Sequence, residues 1–80
     1  MTLDDVRAMV LFKLLDVSIP EQFNWVAVDK NGQIGVYIKF PDADWNEHCW
    51  TSPISNGIMM FRIFIDVPDE YHWQDLVFTL

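Results

Sequence analysis

Residues 58–67 read IMMFRIFIDV, the longest apolar run in the chain, with Asn56-Gly57 before it and Pro68 after it. A run rich in Ile, Phe and Met and bounded by turn residues reads as a strand. Alternation sets Met59, Phe61, Ile63 and Ile65 on one face and Met60, Arg62 and Phe64 on the other. The stretch 58–67 therefore predicts the central strand of a sheet, buried on one face and half-buried on the other. In so short a chain, everything else must pack against it or pair with it.

Upstream of that run, residues 23–40 predict a β-hairpin. Trp25-Val26-Ala27-Val28 and Ile34-Gly35-Val36-Tyr37-Ile38 flank Asp29-Lys30-Asn31-Gly32. That turn suits a type I turn with Gly32 in the left-handed position, or a tight Asn-Gly turn. In the second strand Ile34, Val36, Ile38 and Phe40 point one way, towards a helix, and Gly35, Tyr37 and Lys39 the other. Trp25 or Phe23 joins Tyr37 on the outer face, according to register. Tyr37 and Phe64 would then share an outer aromatic patch around Arg62.

The helix comes first in the chain. Thr2 with Asp5 three residues on resembles a capping box, and Asp4 and Asp5 suit a helix N-terminus. Val6, Met9, Val10, Leu14 and Val17 share one face at helical spacing, widened by Leu3, Leu11 and Leu15; Phe12 is the odd member of the opposite side. The spacing predicts a helix over 3–16, ended by Ser18-Ile19-Pro20. Two segments remain. Residues 41–57 form a long connection dense in acids, Trp, Pro and Ser, with a short helical turn over 43–48 capped by Asp42 as one reading. Residues 71–79 read as a last strand or a turn. The fold class is α+β: one N-terminal helix packed on a three- or four-stranded antiparallel sheet, in a single domain over 1–80.

Composition bounds the function. Eighty residues, half of them hydrophobic, suffice for one core. The single Cys49 excludes an internal disulfide framework and points to a reducing compartment. The start MTLDDVRAMVLFKLLD does not resemble a secretory signal, and no apolar run is long enough to span a membrane. The expected location is the cytoplasm. Of the formal charge of −7, about −6 falls in residues 41–80, where Arg62 is the sole Lys or Arg. Such a field repels nucleic acid directly and attracts basic surfaces. The plainer reading is that it keeps an aromatic-rich small protein soluble.

Residue types for chemistry are present without the spacing that chemistry needs. Asp42, Asp44, Glu47, His48 and Cys49 are close in sequence, with His72 a distant addition. Zinc sites are announced by paired Cys or His at short spacing, and no such pairing occurs here. A nucleophilic Cys49–His72 pair with Asp75 would lack an elbow, an oxyanion loop and a pocket. There is no Walker loop, dinucleotide fingerprint or HExxH. The expectation is no catalytic residue, no metal and no cofactor.

A binding protein fits better. Large aromatics (Trp25, Tyr37, Trp45, Trp50, Phe64, Tyr71 and Trp73) exceed what one thin core buries, and aromatics among charges are common at interfaces. The candidate contact residues are Asp42, Asp44, Trp45, Glu47, Trp50, Asp66, Asp69, Glu70, Trp73 and Asp75. In size, acidity, Trp content and lack of a catalytic motif, the chain resembles the small accessory proteins of bacteriophages and prophages. Some of these inhibit host nucleic-acid enzymes, among them anti-CRISPR, anti-restriction and DNA-glycosylase-inhibiting proteins. The resemblance is one of general character and carries no residue role across. It implies an inhibitor of a basic, nucleic-acid-binding host protein, acting by charge mimicry in the host cytoplasm. The alternative is an assembly module that self-associates as a homodimer through an aromatic sheet face or a sheet edge.

Overall fold

The capping box closes as the sequence predicts. The Asp5 amide donates to Thr2 Oγ1 at 3.1 Å, and the Thr2 amide donates to Asp5 Oδ2 at 2.8 Å. These bonds hold the Asp5 carboxyl below its usual range, the Thr2 backbone bond contributing most. In the computed structural model, which describes residues 1–53 and 56–80, the helix α1 spans Leu3–Lys13. Beyond Lys13 the chain tightens: Leu14, Leu15 and Val17 donate to the carbonyls of Leu11, Phe12 and Leu14. Regular helix thus stops three residues short of the expected 16. The buried stripe is also narrower than expected. Val6, Val10 and Leu14 are in the core, whereas Leu3 and Leu15 are exposed; Phe12, on the opposite side as expected, is 71% exposed.

Among the described residues six strands follow: β1 Trp25–Val28, β2 Gln33–Tyr37, β3 Asp42–Asp44, β4 Cys49–Thr51, β5 Ile58–Phe64 and β6 Val77–Thr79. Four make an antiparallel sheet in the order β5-β2-β1-β6, and β3 and β4 pair separately. One helix packed on such a sheet defines an α+β fold. The β1–β2 hairpin has Trp25 opposite Tyr37 and Val28 opposite Ile34. Its turn places Gly32 at φ +90°, with the Gly32 amide donating to the Asp29 carbonyl at 2.8 Å. Glycine is required there twice over, because a Cβ would also collide with the Ile65 carbonyl.

The expectation for 58–67 is corrected. The strand ends at Phe64 and lies at the edge of the sheet, not its centre. Its alternation is as read: Met59, Phe61 and Ile63 pack on the core, and Met60, Arg62 and Phe64 are exposed. An exposed charged residue such as Arg62 within the strand suits an edge, where charge discourages pairing with other chains. The strands buried on both faces are β1 and β2. Between Gln33 and Gly35 the pairing with β5 slips, and the Gln33 side chain donates to the Phe61 carbonyl at 2.9 Å across the irregularity. On the helix side the core joins Val6, Val10, Leu14, Phe23, Val26, Val28, Ile34, Val36, Ile65, Leu76 and Phe78.

The opposite face of the sheet is covered too, and the connection 41–57 supplies the cover. Within it Ile54 and Ser55 lie outside the described residues. Instead of a helical turn over 43–48, β3 and β4 form a hairpin whose turn is residues 45–48. Trp50 from β4 and Trp73 from a short 3-10 turn, Trp73–Asp75, bury against Ala27 and Tyr37. The tail therefore uses both readings of 71–79, a helical turn and then the strand β6. Tyr37 is wholly buried under this layer, so the outer patch it was to share with Phe64 around Arg62 does not form. Phe40 is corrected as well. Because β2 ends at Tyr37, alternation no longer governs it, and its ring stands edge-on to Trp25 at 4.9 Å.

Candidate functional site

The hairpin is clamped to the sheet by four hydrogen bonds, three of them between buried residues. The Trp50 amide donates to Asp29 Oδ1 at 2.8 Å, and Trp50 Nε1 donates to the Val28 carbonyl at 3.0 Å. The Tyr37 hydroxyl donates to the Trp50 carbonyl at 3.3 Å, and the Lys30 amide to the His48 carbonyl at 3.1 Å. Two of the expected contact residues, Trp50 and Trp73, are thus interior groups and cannot anchor a partner. The sequence shows a surplus of aromatics but not the second small core that absorbs them.

Trp45 behaves differently. It begins the turn between β3 and β4 and is 66% exposed. Asp44 shapes that turn, its Oδ1 accepting from the Asn46 and Glu47 amides at 3.0 and 3.1 Å. His48 completes it at φ +55°. The Trp45 ring is not loose, because its centroid lies 6.3 Å from Trp73 and 6.0 Å from the His72 ring. Trp73 stands edge-on to Trp50 at 5.7 Å, and Trp50 to Phe40 at 6.4 Å. A continuous chain of rings runs from the sheet to the surface and ends on Trp45.

The two segments that meet at that ring both carry acids. Asp42, Asp44 and Glu47 come from the hairpin, with Asp42 and Asp44 on one face of β3. Asp69, Glu70 and Asp75 come from the segment that carries His72 and Trp73. Asp69 shares a shallow groove with Lys30, Tyr71, His72 and Trp73, and Asp75 Oδ2 accepts the His72 amide at 3.3 Å. Asp66 does not join them; it lines a separate groove with Met9, Lys13 and Phe64. Among the described residues, the only ion pair is the N-terminal ammonium with Glu70 at 3.6 Å. The remaining carboxylates are unneutralised.

The geometry also bears on the chemistry weighed from the sequence. Among the described residues, no group of three or more His, Cys, Asp or Glu is placed to hold a metal ion. Cys49 lines a cleft with His48, while the His72 ring lies tilted beside Trp45. Burial pushes the Cys49 thiol up, and the charges of Asp29, Asp44 and Glu47 push it further. A nucleophilic cysteine needs the opposite environment. The Tyr37 phenol is raised far above its usual range, first by burial and then by the Asp29 and Cys49 charges. No helix among the described residues is long and apolar enough to cross a membrane.

The residue that sequence reasoning missed is Asp29. As part of an Asp-Lys-Asn-Gly turn it looks like surface punctuation, yet it is buried and fastens the two hairpins together. Nothing local to the turn marks it, because its partner is 21 residues away. The architecture is thus a helix, a sheet and a small aromatic hairpin laid over the sheet's second face. No family model matches the chain, and no curated protein or solved structure is significantly similar to it.

Proposed function

We propose that the chain is a non-enzymatic, acidic binding protein whose Trp45 surface engages a basic partner protein. The observation that carries this reading is an exposed Trp45 ring packed beside Trp73 and His72, on two segments whose acids, apart from Glu70, form no ion pair among the described residues. A held aromatic ring loses little freedom on contact, which suits an anchor. The carboxylates of Asp42, Asp44, Glu47, Asp69, Glu70 and Asp75 then occupy places on the partner meant for phosphates. The partner class is a basic, nucleic-acid-handling host protein met in the cytoplasm, as for an anti-CRISPR or anti-restriction inhibitor. Binding of this kind falls steeply with salt. The test is capture of bacterial lysate on the tagged protein at low and high salt, with Glu47→Gln, Asp69→Asn and Asp75→Asn combined as the control. A nucleic-acid-handling protein held at low salt by the wild type and lost from the variant supports the reading; capture indifferent to salt and to the variant defeats it.

A second reading rests on β5. Seven residues of strand form a sheet edge with Met60 and Phe64 exposed beside it, and an unpaired edge is a template for pairing with another strand. Self-association through that edge gives a dimer whose mass does not depend on salt. Light scattering after gel filtration distinguishes it from a monomer.

A further inference from the structure

The turn of the β1–β2 hairpin and the turn of the β3–β4 hairpin lie side by side. Between them is a cleft of about 410 Å³ lined by Asp29, Lys30, Asn31, Glu47, His48 and Cys49. Asp29 is 7% exposed, and one of its oxygens accepts the Trp50 amide. Among the described residues, its other oxygen has no hydrogen-bond partner and no cation pairs with it, and that oxygen is open to the cleft. An ionised carboxylate has room for about four donors, and a charge buried without a counter-charge is costly. Holding the Trp50 amide alone does not require a charge, since the side-chain oxygen of Asn accepts an amide equally well. The negative field reaches the neighbouring thiol, because Asp29, Asp44 and Glu47 all act on Cys49 in the same direction. The opposing charge is Lys30, an exposed side chain at the rim.

We infer that this cleft receives one alkyl cation, the guanidinium or ammonium end of an arginine or lysine side chain of a partner protein, with the free oxygen of Asp29 as its counter-charge and Glu47 at the mouth. The inference rests on the reading of the chain as a binder of basic proteins and gives that reading a specific pocket. Trp45 and the surface acids would set the approach, and Asp29 would hold one chosen side chain.

The test needs no partner. The full chain, labelled with nitrogen-15, is titrated with N-acetyl-arginine amide, with N-acetyl-lysine amide, and with N-acetyl-citrulline amide as the neutral isostere, while backbone amide signals are followed. Saturable shifts at Lys30, Cys49 and Trp50 are expected with the arginine or lysine probe, the tighter of the two identifying the side chain, and none with citrulline. Asp29→Asn keeps an acceptor for the Trp50 amide and is expected to bind about tenfold or more weaker. Should that variant fail to fold, Glu47→Gln at the exposed mouth gives a smaller loss. Citrulline binding as well as arginine, or undiminished binding by both variants, overturns the inference. Absence of any saturable shift in the wild type overturns it too. If lysate capture remains salt-dependent in that case, the wider reading survives without the pocket. Salt-independent capture beside an intact titration has the reverse meaning.

Discussion

The two faces of the sheet are covered in different ways. The helix side is filled by Val6, Val10, Leu14, Val26, Val28, Ile34 and Val36, which carry no side-chain polar atom. The other side is filled by Ala27, Tyr37, Trp50 and Trp73, and its fit depends on hydrogen bonds from Tyr37 and Trp50 and on the Asp29 carboxylate. An aliphatic layer is specified by volume and tolerates substitutions of similar size. An aromatic layer with polar handles is specified by geometry, and a lost partner leaves a buried donor stranded. The helix side should therefore accept repacking that the hairpin side refuses.

Truncation of one large side chain on each side measures the difference directly. Trp50→Ala should cost about 3–5 kcal/mol in chemical denaturation, more than the about 2–3 kcal/mol expected for Leu14→Ala. Equal costs would mean that the hairpin contributes only area. Gly32→Ala, between the faces, should cost about 2–3 kcal/mol from backbone strain at positive φ and the collision with the Ile65 carbonyl. Asp29→Ala should lose about 1–3 kcal/mol by stranding the Trp50 amide.

Asp29→Asn isolates the charge itself. Burial raises the Asp29 carboxyl, outweighing the Trp50 bond that lowers it. A raised acid contributes stability that is complete below its unfolded value and is lost as pH rises through the folded one. The wild type should therefore lose stability as pH climbs from the unfolded value of about 3.9 into the raised range. The Asn variant should not show that loss, and at neutral pH it should be no less stable than the wild type. Thermal melts across pH measure this, and a parallel loss in both proteins would remove Asp29 as the cause. The smallest effect belongs to Trp45→Ala, within about 0.5 kcal/mol in stability as a surface change, yet with partner capture reduced.

What could be read from the residues follows the same division. The capping box, the β1–β2 turn, the helix stripe and the alternation in 58–64 are local patterns, and local patterns were legible. The position of β5 was not, since length and apolarity mark a strand without saying what lies on either side of it. The hairpin over 42–51 was hidden because its stabilising bonds reach back to Val28, Asp29 and Tyr37. The same long-range contacts divide the expected site. Trp45 and its acids stay outside while Trp50 and Trp73 go in, and their local sequence does not separate the three.

All four indoles sit on the hairpin side, and α1 contains none. Those of Trp50 and Trp73 lie 5.7 Å apart at 83°, close enough for their electronic transitions to couple. The ultraviolet dichroism and emission of the protein accordingly report the docking of one layer, while the peptide bands report helix and sheet. Any loosening of the hairpin before global unfolding carries its own optical signature, readable without an added dye.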